Sequence, residues 1–339
     1  MKPLIDYWVI VDTGSTDGTQ DIIREFMKDT PGELHEREWV DFAHNRTESL
    51  ALAKGKADYI WWIDADEEII CEPGFEMPEL TGDAYLIRTI FGNLAYYRKQ
   101  IVKDGLDWRF EGVLHEYITC DKKDYTTILM QGGIHNLPRH DGARSSDPQK
   151  YKKDALVLER ALMDEPDNRR YVFYLAQCYR DAHEYDNAIK YYHKRTEMGG
   201  WHEEVWSSYH NMARVMQKLD EPWEKVQRAF LNAFEFYPKR REPLYYVSFG
   251  CRQQERYQEA YTWARTGIEV PFPEKDILFV ERFIYDYAML DEFASAAFWS
   301  GHYRECFQAC NRLLEEAKIP EEQVERVLKN MDKAKGNIQ

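Results

Sequence analysis

The sequence predicts an α/β domain followed by an all-α solenoid of helix pairs, and three observations lead there. Two short apolar runs, YWVIV at 7–11 and YIWWI at 59–63, are each followed directly by an aspartate. Beyond about residue 150 the glycine-containing strand-and-loop pattern gives way to long helical periods rich in Tyr, Trp, Ala, Glu and Arg. Those periods recur along the chain, the signature of stacked repeats. A length of 339 residues suits two domains, placed at 1–148 and 149–339.

The first run reaches Asp12 and opens into Thr13, Gly14, Ser15, Thr16, Asp17, Gly18 and Thr19. Glycines allow tight turns and close backbone approach, and Asp17 three residues before Gln20 is a variant of the helix capping box. A helix is expected next, with Ile22, Ile23 and Phe26 as its apolar stripe and Pro31-Gly32 as its stop. The loop has neither the Gly-Lys-Ser/Thr of a P-loop nor the Gly-x-Gly-x-x-Gly of dinucleotide folds. Counted from Asp12, the third and fifth positions of a calcium loop fall on Gly14 and Thr16, which excludes an EF-hand.

The second run delivers Asp64 and Asp66 to the carboxyl end of what reads as a buried strand, where α/β sheets bind ligands. Carboxylates so spaced converge readily on a hard divalent cation, and a cation held by one or two protein carboxylates usually shares its shell with substrate phosphates. Two strands are thus expected to bring acids to one sheet edge. The chemistry indicated is that of an enzyme using a nucleotide diphosphate.

VDTGSTDGT at 11–19 and DFAHNRTESLALAKGKADYIWWIDADE at 41–67 resemble the family-2 glycosyltransferases of the GT-A fold, over roughly residues 5–150. WRFEGVLHEYI at 108–118 and GARSSDPQKYKKDALVLE at 142–159 are similar to the subgroup whose catalytic domain is fused to helical repeats. The resemblance implies that Asp12 contacts the nucleobase, that Arg46 lies near the base or phosphates, and that Asp64 meets ribose and metal. Asp66 would be the main ligand of a Mn2+ or Mg2+ ion, with His135 completing the shell; His140 and His115 are the rival histidines. The implied donor is a nucleotide-diphospho-sugar, a UDP-sugar foremost, and the acceptor a hydroxyl on a glycan, a protein or a lipid-linked saccharide. Turn and cap chemistry is the competing account of Asp12 and Asp17, and a surface helix position that of Arg46.

Such a site displaces a nucleoside diphosphate from an anomeric carbon while an acceptor hydroxyl attacks from the opposite face. It needs a cation against the growing charge, a group that takes the acceptor proton, and both held in place beforehand. Between the Asp64/Asp66 pair and the helical half, 108–116 is the richest stretch for that base. Glu116 is the first choice, with Glu111 and His115 as alternatives.

The family has a further strand and helix before the strand at 7–11, and only Met1, Lys2, Pro3, Leu4, Ile5 and Asp6 stand there. Absence of that internal strand would expose ladder groups on its neighbours and remove half of the base pocket. The strand at 7–11 is therefore expected on a sheet edge or paired with an unusual segment, the chain being a fragment or another segment substituting.

In the helical half, Leu175, Ala176, Tyr179, Tyr185, Ala188 and Tyr192 fall at tetratricopeptide spacing. Ala213, Phe230, Ala233 and Pro238 fit a second copy if the turn around Asp220 and Pro222 is one residue longer. Val247, Ser248, Tyr257, Ala260 and Ala264 form a third, and Ala294, Ala297, Tyr303, Cys306, Cys310 and Leu313 a fourth. Such residues are core by default. Functional groups of a solenoid lie on its concave face, where Trp206, Tyr209, Tyr245 and Tyr246 would stack on a sugar or hold a peptide of a protein partner, unless they pack in the core.

A formal charge of −15 argues against a nucleic-acid surface, so Arg169, Arg170, Lys239, Arg240, Arg241 and Arg252 read as solvated faces, with 239–242 as a loop between repeats. Six cysteines without a Cys-x-x-Cys pair indicate reduced thiols. No apolar run reaches the roughly twenty residues a bilayer demands, and the expected setting is cytoplasmic, with peripheral visits to a membrane-borne acceptor. Two other function classes remain open: a catalytically weakened scaffold acting through its repeats, and a metal-dependent nucleotidyltransferase or sugar-nucleotide hydrolase.

Overall fold

A computed structural model describes residues 1–92, 94–139, 147–316 and 319–338. The chain forms two compact units, Met1–Phe91 with Tyr96–Pro166, and Gly92–Ala95 with Asp167–Gln339. The division falls at 166/167, with the helix at 150–164 counted in the first unit, whereas the sequence places it at 148/149.

The first unit runs β1 (Trp8–Asp12), α1 (Thr19–Met27), β2 (Gly32–Glu36), α2 (Phe42–Ala53), β3 (Tyr59–Trp61), β4 (Glu67–Cys71), β5 (Ala84–Phe91), β6 (Leu94–Lys103), β7 (Arg109–Glu111), β8 (Tyr117–Thr119), β9 (Thr127–Leu129), β10 (Ile134–Pro138) and α3 (Lys150–Asp164). In the main sheet β6, β5, β10 and β4 lie side by side, with β3 antiparallel on β6 and β9 parallel on β5. β5 and β6 are covered on both faces. Successive side chains of a strand point to opposite sides, so Ala84 and Val102 join Leu50, Trp108, Phe110 and Ile118, while Tyr85 and Ile101 join Ile87, Met130 and Ile134.

Three expectations are corrected here. β1 pairs in parallel with β2 as a separate two-stranded sheet, so β1 and β3 do not bring Asp12 and Asp64 to the edge of one sheet. The capping box does not form: Gly18, at φ 86, caps α1, and the Gln20 side chain turns back to Asp12 instead. The stripe on α1 is not buried, Ile22 and Phe26 being exposed and Met27 alone buried. The edge expected for the strand at 7–11 is present, since among the described residues β1 pairs with β2 alone.

The second unit comprises α4 (Arg169–Asp181), α5 (Tyr185–Glu197), α6 (His202–Lys218), α7 (Trp223–Phe236), α8 (Glu242–Gln253), α9 (Tyr257–Ile268), the short β11 (Val280–Glu281), a π-helical stretch (Ile284–Ala288), α10 (Met289–Trp299), α11 (Tyr303–Glu315) and α12 (Glu321–Asn337). Each helix packs chiefly on its sequence neighbours, with Ala188, Ala213, Ala233, Ala260, Ala264 and Ala297 fully buried at the crossings. The four expected pairs are α4–α5, α6–α7, α8–α9 and α10–α11.

The turn inside every pair closes in the same way. His183, Asp220, Glu255 and Gly301 adopt φ of 61, 51, 58 and 84, and the next amide reaches back five residues: Glu184 N to Tyr179 O, Glu221 N to Met216 O, Arg256 N to Cys251 O and His302 N to Ala297 O. This is the Schellman closure, which satisfies the last carbonyls of the helix. The second turn, 219–222 against 182–184, 254–256 and 300–302, has the extra residue expected for it.

Two expectations about polar groups also change. Arg240 is not solvated: fully buried, it donates to Glu242 Oε1 at 2.6 and 2.9 Å, to Asp276 at 3.3 Å and to the Leu278 and Phe279 carbonyls. Its guanidinium lies 3.8 Å from the Trp206 ring centroid, which places that indole in the core. Tyr246 likewise stacks on Phe230 and donates to Glu281, so it belongs to the packing. All six cysteines are free thiols, Cys71 exposed and the others buried.

A Cβ at Gly301 meets nothing within 4 Å, so Gly301→Ala isolates the cost of the left-handed turn. It should destabilise by about 1 kcal/mol in urea unfolding, while Glu255→Gly, at the equivalent turn, should stabilise.

Candidate functional site at the end of β3

α2 is anchored at both sides of Arg46. Asp41 caps the helix by accepting from His44 N at 2.7 Å. Buried Asn45 accepts from Val40 N at 2.9 Å and donates to Glu38 O at 3.0 Å, which pins the incoming chain to the first turn. Thr47 Oγ1 accepts from Phe110 N at 2.9 Å and ties the same turn to β7.

Between these anchors the Arg46 guanidinium lies 5.1 Å from the Phe42 ring centroid and 5.7 Å from those of Trp62 and Phe110. Its Nε and Nη2 donate to the two oxygens of Asp64 at 3.0 and 2.8 Å, and its Nη1 donates to Glu116 Oε2 at 2.8 Å. One side chain thus joins α2, the residue three beyond β3, and the loop after β7. That loop holds Gly112 at φ 114 and His115 at φ 53; non-glycine residues in the left-handed region carry strain that gathers at binding loops. The Glu116 side chain is only 6% exposed, and its second oxygen, Oε1, is buried without a hydrogen-bond partner among the described residues.

A second guanidinium supports Asp64 from β6. Arg98 Nη2 lies 3.4 Å from Asp64 Oδ2, its Nη1 pairs with Glu67, and its plane sits 4.6 Å from the Trp62 ring. Burial alone would depress the proton affinity of Arg98, but the carboxylates of Glu67 and Asp64 outweigh it and hold the guanidinium above its ordinary value. Glu67 Oε2 accepts from the Asp64 amide at 3.2 Å and from Gln100 Nε2 at 3.3 Å, fixing the backbone from which Asp64 projects.

The other expected site residues take no part in this guanidinium cluster among the described residues. Asp66 is exposed, its carbonyl accepting from Arg139 N at 2.7 Å. His135 pairs with Ile70 in the β4–β10 register, three residues from Glu67 and about 10 Å along the strand at 3.3 Å per residue. It therefore does not complete a ligand set with Asp64 and Asp66. His115 is exposed, and His140 lies outside the described residues. Glu111 is engaged by Arg109 Nε at 2.9 Å and the Tyr117 hydroxyl at 3.0 Å.

Asp12 and Asp17 perform turn chemistry. Asp12 Oδ2 accepts from Gly14 N, Ser15 N and Gln20 Nε2 at 3.3, 3.1 and 2.7 Å. Hydrogen bonding from Ser15, reinforced by Gly14 and Gln20, holds the buried carboxyl below its ordinary value despite desolvation. Asp17 Oδ1 accepts from the Thr19 amide and hydroxyl.

Among the described residues, His202, Glu203 and Asp276 are the one grouping with metal-ligand proximity. Protein donors already serve it: Glu203 Oε2 takes the Ile277 and Leu278 amides at 2.8 and 2.7 Å, and Asp276 takes the Tyr237 hydroxyl and Arg240. It reads as a junction of the helical unit.

Arg98 and Glu67 are the site residues that sequence reasoning missed. Their signals were a lone arginine within the long strand at 94–103 and an acid directly after Asp64-Ala65-Asp66.

Residues 6–75, the segment that carries β1 to β4 with Arg46, Asp64 and Asp66, match the family model described as Glycosyl transferase family 2. A TPR repeat-containing protein of Synechococcus elongatus is 32% identical over 127 residues, covering 35% of this chain and 30% of the relative. The chain thus spans about a third of the length of that curated relative. Among solved structures, the MamA protein is 15% identical at a TM-score of 0.38 over 52% of this chain and 88% of its own. A tetratricopeptide repeat protein from Parabacteroides merdae is 19% identical at 0.40, over 56% and 71%. The class defined is an α/β unit joined to a helix-pair solenoid. More particularly, the chain carries a segment similar to family-2 glycosyltransferases, followed by a helical unit of tetratricopeptide-like helix pairs. No helix among the described residues is long and apolar enough to cross a membrane.

The Asp12 turn has a consequence in acid. Its folded-state pKa is depressed, so its stabilisation is present above the unfolded value of about 4 and is lost as pH falls through the folded value. In urea unfolding across this range, wild type should exceed Asp12→Asn most above that pH, with the gap closing as pH falls.

Proposed function

We propose that the first unit binds a nucleotide-diphospho-sugar, foremost a UDP-sugar, with Mn2+ or Mg2+, and transfers the sugar to an acceptor hydroxyl with inversion. The observation that carries this reading is the convergence of Arg46, Asp64 and Glu116, at least one of them remote in sequence from the others, on one cluster. Asp64 and Asp66 would offer the oxygen donors that a hard cation prefers, and they are the pair proposed to hold it. A bound cation would neutralise charge growing on the departing diphosphate. Arg46 and Arg98 supply preorganised positive charge beside it. Glu116 Oε1, the carboxylate atom without a partner, is the atom left to receive the acceptor proton; Glu111 is committed to Arg109 and Tyr117.

A second reading, a weakened enzyme serving as a scaffold through its helical unit, has its own support. Asp12 Oδ2 is occupied by its own loop, and among the described residues β1 pairs with β2 alone, which weakens the nucleobase side of a pocket. Under this reading a protein partner docks on the helical unit, and sugar-nucleotide binding is lost. The acceptor would be a glycan, a protein or a lipid-linked saccharide, and the setting cytoplasmic, at or away from a membrane.

Asp66→Asn should abolish Mn2+-dependent binding of a UDP-sugar in calorimetry, and Asp64→Asn should do nearly as much; unchanged binding in both sinks the site. Glu116→Gln should leave donor and cation affinity within a few-fold while transfer falls by about a hundredfold. The same pattern in Glu111→Gln instead moves the base. Release of free sugar without acceptor would favour a hydrolase.

A further inference from the structure

Arg46 is asked to do two incompatible things at once. Its Nε/Nη2 edge is the planar fork that matches a carboxylate or a phosphate bidentately, and in the structure that edge is filled by Asp64. Asp64 is also half of the proposed cation pair. We propose that Asp64 acts as an internal stand-in for a diphosphate: a divalent cation that takes Asp64 frees the Arg46 edge for a phosphoryl group, so cation and diphosphate bind with positive linkage through this one side chain. The proposal rests on the reading of the site given above and adds a positioning role for Arg46.

The surroundings let the edge be exchanged without losing the side chain. Nη1 stays on Glu116, whose side chain is 6% exposed and whose other oxygen has no hydrogen-bond partner among the described residues; a buried carboxylate stripped of its cation is strongly disfavoured, which keeps Arg46 in place. The rings of Phe42, Trp62 and Phe110 flank the guanidinium and permit rotation rather than departure. Asp64 is 28% exposed, leaving its outer side open to an ion arriving from solvent. Arg98 does not replace Arg46 in this exchange, because it is committed to Glu67 and stacked on Trp62, and it reaches Asp64 only at 3.4 Å.

Linkage is reciprocal: if the cation raises diphosphate affinity, the diphosphate raises cation affinity by the same factor. The test uses the full chain, with Mn2+ binding read from the paramagnetic resonance of the free ion and uridine diphosphate binding read by calorimetry at zero and saturating Mn2+. In wild type, saturating Mn2+ should tighten uridine diphosphate binding by about tenfold or more. Arg46→Lys keeps the charge but cannot hold both Asp64 oxygens and Glu116. It should bind Mn2+ alone several-fold more tightly than wild type, with the Mn2+ enhancement of diphosphate binding falling below about threefold. Arg46→Gln serves with the same expectation should the lysine variant not fold. Mn2+ binding no tighter in the Arg46 variants, or an enhancement left intact, overturns the proposal. If Asp66→Asn abolishes Mn2+ binding in that case, the exchange alone fails; if Mn2+ binding survives Asp66→Asn, the cation site itself fails and takes the exchange with it.

Discussion

The fork of hydrogen bonds made by Arg46 is the constraint on which the α/β unit depends. It reaches Asp64 through two bonds and Glu116 through a third, and each of those carboxylates is held from behind. Glu67 grips the Asp64 backbone while itself paired to Arg98, and the loop before Glu116 accepts left-handed residues to deliver it. Much of the local architecture serves to set these charges against one another. The cap at Asp41, the Asn45 bridge and the Thr47 bond to β7 all act within two turns of α2.

The helical unit uses the same chemistry for a different end. Arg240 with Glu242 and Asp276, Arg252 with Glu292, and Arg195 with Glu204 are partly or wholly buried ion pairs, and Glu281 is held down to about 2 by His210 and Arg214 against its own burial. Exchanging such pairs for apolar groups is often neutral, whereas removing one partner is costly. Their contribution is to specify geometry, fixing the α7–α8 connection and the 276–281 segment against α6 and α8. The repeated Schellman turns do the complementary work of setting where each helix ends.

How much was legible follows the range of the interactions. Periodicity and small residues at crossings are local patterns, and they disclosed the helix pairs down to the longer second turn. Asp64, Arg46 and Glu116 were each legible as candidates, because acids at a strand end and a charged pair opening a helix are short-range signals. Their union through one guanidinium was not, since it joins positions separated by 18 and 70 residues. The placement of His135 was not legible for the same reason: its position opposite Ile70 is set by the β4–β10 register, which no local pattern encodes. Arg240 looked solvated because the residues that bury it, Asp276 and the Leu278 and Phe279 carbonyls, lie more than thirty positions away. The exposed stripe of α1 shows the converse, an amphipathic pattern that no described element covers.

The distribution of thiols gives the molecule a built-in chemical handle. Five cysteines are shielded, and burial pushes Cys251 up to about 12, which starves it of the reactive thiolate. Cys71 alone is exposed, at the end of the strand that begins with Glu67. A maleimide dye or spin label applied to the native chain would therefore attach at one place, reporting on the acid-bearing strand spectroscopically without a cysteine-free background having to be engineered.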